Sequence, residues 1–296
     1  MSDKITYFFV RGFMRSGTNW IGNLLNLHPD ICCNGEYHLH RLYEGLDRIT
    51  NPKRDPCSIF MSQDIRLAAI VEFERFAKRM IELGATQLDK SGATILGART
   101  PCLLNRKVIR NARRIHLVRD GRDCLVSLTF HFLNLTGTRY PFEEFPLMQE
   151  KRALFQEDPE YFVNNPEKLL DDESWVRSRA KNWRHRVTLD QKFIARHQDI
   201  VYSTTYEKTH ADTETVRNEI YRFLGADPDK AAPLTSKTSA GFKKENVLSH
   251  YRKGSIGDWK KYFTPQTCQW FLRDAGEALK ASGYESDDSW IHQISG

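Results

Sequence analysis

Two glycines, Gly12 and Gly17, stand between an apolar, β-rich run, ITYFFV, and a segment, WIGNLLNLH, in which Trp20, Leu24, Leu25 and Leu27 recur at helical spacing. Strand, tight turn and helix in that order make an anion cradle, because backbone N–H groups converge at the helix N-terminus and wrap a negative charge. The G-x-x-x-x-G spacing is that of a nucleotide-binding loop, but the residues after it are not. A loop for magnesium-ATP continues with Lys, which reaches the β- and γ-phosphates, and then Ser or Thr, which ligates the metal. Here those places hold Thr18 and Asn19, and the cation comes earlier, at Arg15. Such a nest with one Arg suits a terminal phosphate or phosphosulfate better than magnesium-ATP. Taken alone, the pattern also fits an ordinary glycine-containing strand-to-helix turn.

Two further stretches carry chemistry for anions. VRDGRDCLVS places Arg119 at the carboxyl end of a strand and Ser127 about two turns into the next helix, so both can face one anion beside the sheet. Read by itself, Arg119 is as well explained by an ion pair with Asp120 or Asp123. In YRKGSIGDWKKYFT, Arg252 and Lys253 precede Gly254, and Gly257 follows three residues later. A basic, glycine-rich loop can wrap a phosphate with side chains and backbone N–H groups together. Otherwise it is a solvated loop ahead of a helix capped by Thr264 and Pro265.

The elements that must position these residues alternate. Strands are expected at 5–10, at ATILGA (93–98), at RIHLV (114–118) and at DIVYSTTY (199–206). Amphipathic helices fall between them: DIRLAAIVEFERFAKRMIEL, then the helix opened by RDGRDCLVSLTFHFLN, then ESWVRSRAKNWRHRVTLDQKFIARH, and finally TETVRNEIYRFLG, which Gly225 closes. Strands separated by helices imply right-handed crossovers, a mainly parallel sheet covered on both faces, and ligands at the carboxyl ends of the strands. The fold class is therefore α/β, a three-layer α/β/α arrangement with a modified phosphate-binding loop. From 134 to 172 clear periodicity is lost and Gly137, Pro141, Pro146, Pro159 and Pro166 intervene, so an irregular excursion over the active site is expected there.

With 296 residues and 40% hydrophobic content, the chain is long enough for a substantial core, and one domain over 1–296 is expected. The 44 Lys and Arg against 38 Asp and Glu give a net charge of +6, which favours an anionic ligand. The basic residues form no long run, so nucleic acid is not expected as a partner. Six cysteines without C-x-x-C spacing exclude a zinc ribbon, and no metal site is expected. The chain opens almost directly on strand sequence and has no apolar run of membrane-spanning length, which implies a reducing, cytoplasmic setting.

Taken together, RSGTNW, the Arg119 to Ser127 pair and RKGSIGDWKKYFT make the chain resemble the sulfotransferases that use 3′-phosphoadenosine 5′-phosphosulfate (PAPS), a family related to the nucleotide kinases. The three motifs occur in the family's order and span residues 5–264. The resemblance implies that Arg15, Ser16, Gly17, Thr18 and Asn19 bind the 5′-phosphosulfate and that Trp20 lies against adenine. It assigns Arg119, Ser127, Arg252, Lys253 and Gly254 to the 3′-phosphate, and Tyr206 and Phe242 to base contacts. A donor without β- or γ-phosphates needs neither the missing Lys nor a magnesium ligand. The implied activity is metal-independent, in-line sulfuryl transfer to a hydroxyl, or in second place an amine, of a small molecule, saccharide or peptide, with adenosine 3′,5′-bisphosphate as product.

Sulfuryl transfer places charge on the departing phosphate oxygen, so catalysis is mostly positioning and charge stabilisation. Arg15 is the candidate for that charge. The acceptor's base departs from the family pattern. Where cytosolic members carry His in K-T-H, GARTPCLL has Pro101; where heparan-type members carry Glu in E-K-T-P, it has Ala98. Arg99 keeps a cation at the Lys position. HPDICCNGEYHLHRLY is similar to a Golgi-type stretch whose G-E supplies the base, with about one residue inserted near Asn34, and this points to Glu36, with His38 and His40 as alternatives. A PAPS-binding protein without activity, a kinase-like enzyme and a nucleic-acid binder using the same basic loops are the competing readings.

Overall fold

The alternation in the sequence is realised from the first residues onward: β1 (Thr6–Gly12) runs through the loop into α1 (Thr18–Leu25). The computed structural model describes residues 5–51, 53, 62–135, 145–235, 238–239, 248 and 253–294. After α1 come β2 (Ile31–Asn34), α2 (Leu39–Thr50), α3 (Gln63–Gln87), β3 (Ile95–Thr100) and β4 (Arg113–Val118). Then follow α4 (Gly121–Asn134), α5 (Pro146–Glu157), α6 (Tyr161–Asn164) and α7 (Glu173–Ile194). The chain continues with β5 (Val201–Thr205), α8 (Tyr206–Ala211), α9 (Thr213–Leu224), α10 (Trp259–Tyr262) and α11 (Pro265–Ala281).

The chain groups into two compact units. The first comprises residues 1–12, 17–117 and 190–239, and holds a five-stranded sheet in the order β2-β3-β1-β4-β5. β1 pairs in parallel with β3 on one side and β4 on the other, and β3 pairs in parallel with β2. β1 takes the centre because it can be buried on both faces, and Phe8 through Gly12 are all buried. Its side chains alternate. Phe9 joins Leu96 and Ala98 of β3 under Leu39 and Tyr43 of α2 and Phe73, Ala77 and Ile81 of α3. Phe8 and Val10, both fully buried, face the other way, toward the α1 side, where the Tyr221 hydroxyl of α9 donates to Leu24 O at 2.6 Å.

The second unit, residues 13–16, 118–189 and 240–296, holds only helices as regular elements among its described residues. Its core joins Phe130 of α4, Phe155 of α5, Phe162 of α6, Trp175 and Trp183 of α7, Tyr262 of α10 and Phe271 of α11. Arg122 in α4 is buried there, ion-paired to Asp120 at 2.7 Å, with its guanidinium 4.0 Å from the Trp259 ring centre and 4.5 Å from that of Trp290.

Local signals in the sequence explain several boundaries. Gly225, at φ 86°, ends α9 and returns its N–H to Arg222 O, while the Thr264 hydroxyl accepts from Thr267 N ahead of Pro265. Two elements differ from expectation. The stretch 134–172 is not irregular where it is described: it holds α5, α6 and a 3-10 turn (Pro166–Lys168). Pro146 and Pro166 each open a helix, where a missing N–H costs nothing, so prolines that looked like breakers are starts. β2 was not expected as a strand because ICCN is only four residues long and carries two cysteines, yet every residue of it is buried.

Candidate functional site

The loop after β1 is bent by two left-handed residues. Gly17, at φ 98°, begins α1, and a Cβ there would lie 2.8 Å from the Tyr206 ring, so only glycine fits without displacement. Arg15, at φ 69°, holds the same conformation despite its side chain. Ser16 N donates to Phe13 O, and its hydroxyl, fully buried, sits 3.9 Å from the Cys124 sulfur.

Within the second unit, three stretches distant in sequence are bonded together. Arg15 Nε donates to Ser127 Oγ of α4 at 3.1 Å, so two residues singled out from separate motifs meet. Arg119, buried, donates through Nη1 to Arg15 O at 3.0 Å and through Nη2 to Ser255 O at 2.8 Å. One planar guanidinium thus holds both anion loops. Asp123 of α4 completes the tie, accepting from Gly257 N at 2.8 Å and Trp259 N at 2.9 Å. Burial pushes the Asp123 carboxyl up to about 6, against the opposing pull of Arg119 3.9 Å away. Asp120, the other expected partner of Arg119, is taken by Arg122. Lys253 Nζ donates to Asp258 at 2.8 Å, and Gly254 is left-handed at φ 67°. Phe242 and Arg252 lie outside the described residues.

Ser255 Oγ is buried and has no hydrogen-bond partner among the described residues. An orphaned hydroxyl beside a buried Arg, in a loop with two left-handed glycines, fits an oxyanion that would accept from it.

In the first unit, Thr18 and Asn19 open α1, half-buried. Trp20 donates its indole N–H to Thr238 O at 2.7 Å and packs edge-on against Tyr206 with ring centres 5.4 Å apart. The two aromatics assigned to the base therefore touch each other, and both are largely buried.

At the carboxyl ends of β1 and β3 the same unit opens a cleft. Phe9, Leu103, Leu104 and Val108 supply apolar wall, and Arg11, Arg99, Arg114, His38 and His40 the basic groups. Glu36 is exposed and is not among its lining residues. His38, left-handed at φ 50°, is exposed, with its ring 5.8 Å from that of His40. His40 is half-buried; burial holds its pKa below the usual imidazole range, and its Nδ1 is buried without a partner among the described residues. It is therefore a neutral imidazole on the cleft wall. Arg99 stands opposite Val10 in the ladder, so its side chain runs to the α1 face, where a Cβ on Gly22 would lie 3.7 Å from Arg99 Nη1.

Sequence reasoning missed a buried network beneath the cleft. Arg11 pairs with Asp190 at 2.9 Å, Asp190 also accepts from Leu104 N at 2.7 Å, and His116 contacts Ser203 Oγ at 3.0 Å. Burial and the neighbouring Arg11 push His116 down to about 3, so it is neutral. A charged residue inside a strand, as in FFVRG and RRIHLV, was the available signal.

The chain matches the family described as Sulfotransferase domain over residues 6–283. It is 24% identical over 190 residues to the 3-alpha-hydroxysteroid sulfotransferase of Cavia porcellus, an alignment covering 58% of this chain and 57% of that protein. To Sulfotransferase 1E1 of Bos taurus it is 25% identical over 198 residues, with 58% and 57% covered. The matches thus span little more than half the length of these curated relatives. Among solved structures, mouse sulfotransferase SULT7A1 complexed with PAP shares the fold, with a TM-score of 0.50 at 18% identity over 99% of this chain and 91% of that one. The family match takes in the loop after β1, the Arg119 to Ser127 pair and the 253–258 loop without interruption, and the chain belongs to the sulfotransferase domain family.

Proposed function

We propose that the protein is a single-domain sulfotransferase that moves a sulfuryl group from PAPS to a hydroxyl of a small acceptor. The observation that carries this reading is the junction at Arg119, which bonds the Arg15 loop and the Ser255 loop into one anion-binding frame. When bound, PAPS supplies an already activated sulfuryl group, so the chain need only position the reactants and manage charge.

Arg15, oriented by Ser127, stabilises negative charge at the 5′ end of the donor. Ser255, Lys253, Gly254, Arg119 and Arg252 take the 3′-phosphate. Gly17, Thr18 and Asn19 offer N–H groups at the start of α1, and Trp20, Tyr206 and Phe242 form the base contact. His40, neutral and on the cleft wall, accepts the proton of the acceptor hydroxyl; this role passes to it from Glu36, which is not among the lining residues. The relatives named for hydroxysteroids support a small hydroxyl compound as acceptor. Among the described residues no helix is long and apolar enough to cross a membrane.

The test is a thermal-shift series in EDTA with adenosine 3′,5′-bisphosphate, adenosine 5′-phosphate, ATP and a short oligonucleotide. The bisphosphate is expected to stabilise most, and a strict magnesium requirement or a stronger effect of ATP would return the kinase reading. Release of label from PAPS in the presence of a phenol, alcohol and sugar panel then separates an enzyme from an inactive binder.

A further inference from the structure

The cleft beside β1 and β3 is chemically one-sided. Its basic lining is Arg11, Arg99, Arg114, His38 and His40, and among the described residues no Asp or Glu lines it. The three arginines are not equivalent. Arg11 is neutralised by Asp190, and the Arg99 side chain runs to the α1 face. Arg114 remains. It is 2% exposed, donates through Nε to Asn105 O at 3.0 Å and through Nη2 to Ile109 O at 2.8 Å, and both acceptors are neutral carbonyls. Its Nη1 is buried with no partner among the described residues. Glu74, whose charge acts on it, accepts from Arg110 N and is not among the cleft's lining residues, while Arg106 adds like charge. Burial lowers Arg114 to about 10, so it stays protonated at neutral pH.

A buried cation without a counter-ion is strongly disfavoured unless something completes it, and beneath an open cleft its field is felt by whatever enters. We propose that Arg114 selects an acceptor that carries an oxyanion, a carboxylate or a sulfate ester, together with the hydroxyl to be modified. This rests on the cleft being the acceptor site. Phe9, Leu103, Leu104 and Val108 take the apolar body of such a compound, and Arg114 its charge. A neutral polycyclic alcohol would leave the guanidinium uncompensated, so the cleft discriminates against it.

The experiment titrates matched pairs by calorimetry into protein saturated with adenosine 3′,5′-bisphosphate: 4-hydroxyphenylacetate against its methyl ester, and glucuronate against its methyl ester. In at least one pair the acid is expected to bind tenfold or more tightly than the ester, less so at high salt. Arg114→Gln should bring the pair within about twofold, Arg114→Lys should restore part of the preference, and bisphosphate affinity should hold in both. Because Arg114 also braces two carbonyls, Leu103→Asp serves if Arg114→Gln does not fold: it adds a carboxylate at a half-buried wall position and should weaken the acid far more than the ester. The proposal is overturned if neither pair shows a preference, including by failing to bind, or if the preference survives the substitutions that fold. Failure of the bisphosphate itself to bind would instead count against the donor reading, and the pairs titrated into the protein alone would still decide the cleft's preference.

Discussion

Arg15 occupies left-handed backbone space that side chains avoid, at roughly 1–2 kcal/mol, and the strain is held by Ser127 on its side chain and Arg119 on its carbonyl. RSGTNW singled it out because the cation stands before the second glycine, where a magnesium-ATP loop carries its Lys after it. Asp123 and Ser255 were not readable as site residues, since their roles depend on a contact across more than a hundred positions. The base is the residue-scale question that a substitution can answer. His40→Asn should lower kcat by about a hundredfold with little change in bisphosphate affinity, because a general base contributes on that order. Glu36→Gln should leave turnover near the wild-type level. Steady-state rates of the two variants decide it: the opposite pattern returns the proton to Glu36.

At the scale of elements, the turn into α1 and the tie from α4 can each be tested by its own physics. Gly17→Ala must place a Cβ 2.8 Å from the Tyr206 ring at a positive φ, and should lower unfolding stability by about 2 kcal/mol or more in urea titrations. A loss near zero would mean that α8, which carries Tyr206, moves aside. Asp123 makes a pH prediction of opposite sign to ordinary acid unfolding. Its folded pKa, about 6, lies above its unfolded value of 3.8, so between those values the native state holds more protons and stability from this group falls as pH rises. Relative to Asp123→Asn, the wild type should lose up to about 3 kcal/mol from pH 4 to pH 7, at 1.36 kcal/mol per pKa unit. A gap that stays constant with pH would mean the carboxyl is not perturbed. Element by element, the strands at 93–98, 114–118 and 199–206 were legible because short runs rich in apolar and β-branched residues between helices leave few alternatives. β2 and α5 were not, the first being too short to show a period and the second opening on a proline.

For the whole molecule, the alternation of strands and helices made a parallel sheet legible, but not the division into two compact units, which depends on long-range contacts that leave no local trace. Ligand binding is the measurement that integrates the molecule. A ligand at a hundred times its Kd stabilises the native state by about 2.7 kcal/mol, and for a chain of this size the bisphosphate should raise Tm by about 5 °C without magnesium. A shift that appears only with added metal would remove the metal-free reading. The bridge at Arg119 has a consequence for how the nucleotide's phosphates are sensed. Because one rigid guanidinium holds the carbonyls of both Arg15 and Ser255, an occupant that orders one loop has already met part of the ordering cost of the other. On the proposed donor site, the two phosphate subsites are expected to be cooperative, with a coupling free energy of about 1–3 kcal/mol. The bisphosphate should outbind the sum of what adenosine 5′-phosphate and adenosine 3′-phosphate achieve separately, and Arg119→Lys, whose single ammonium lacks the planar fork that spans both carbonyls, should make the two contributions merely additive.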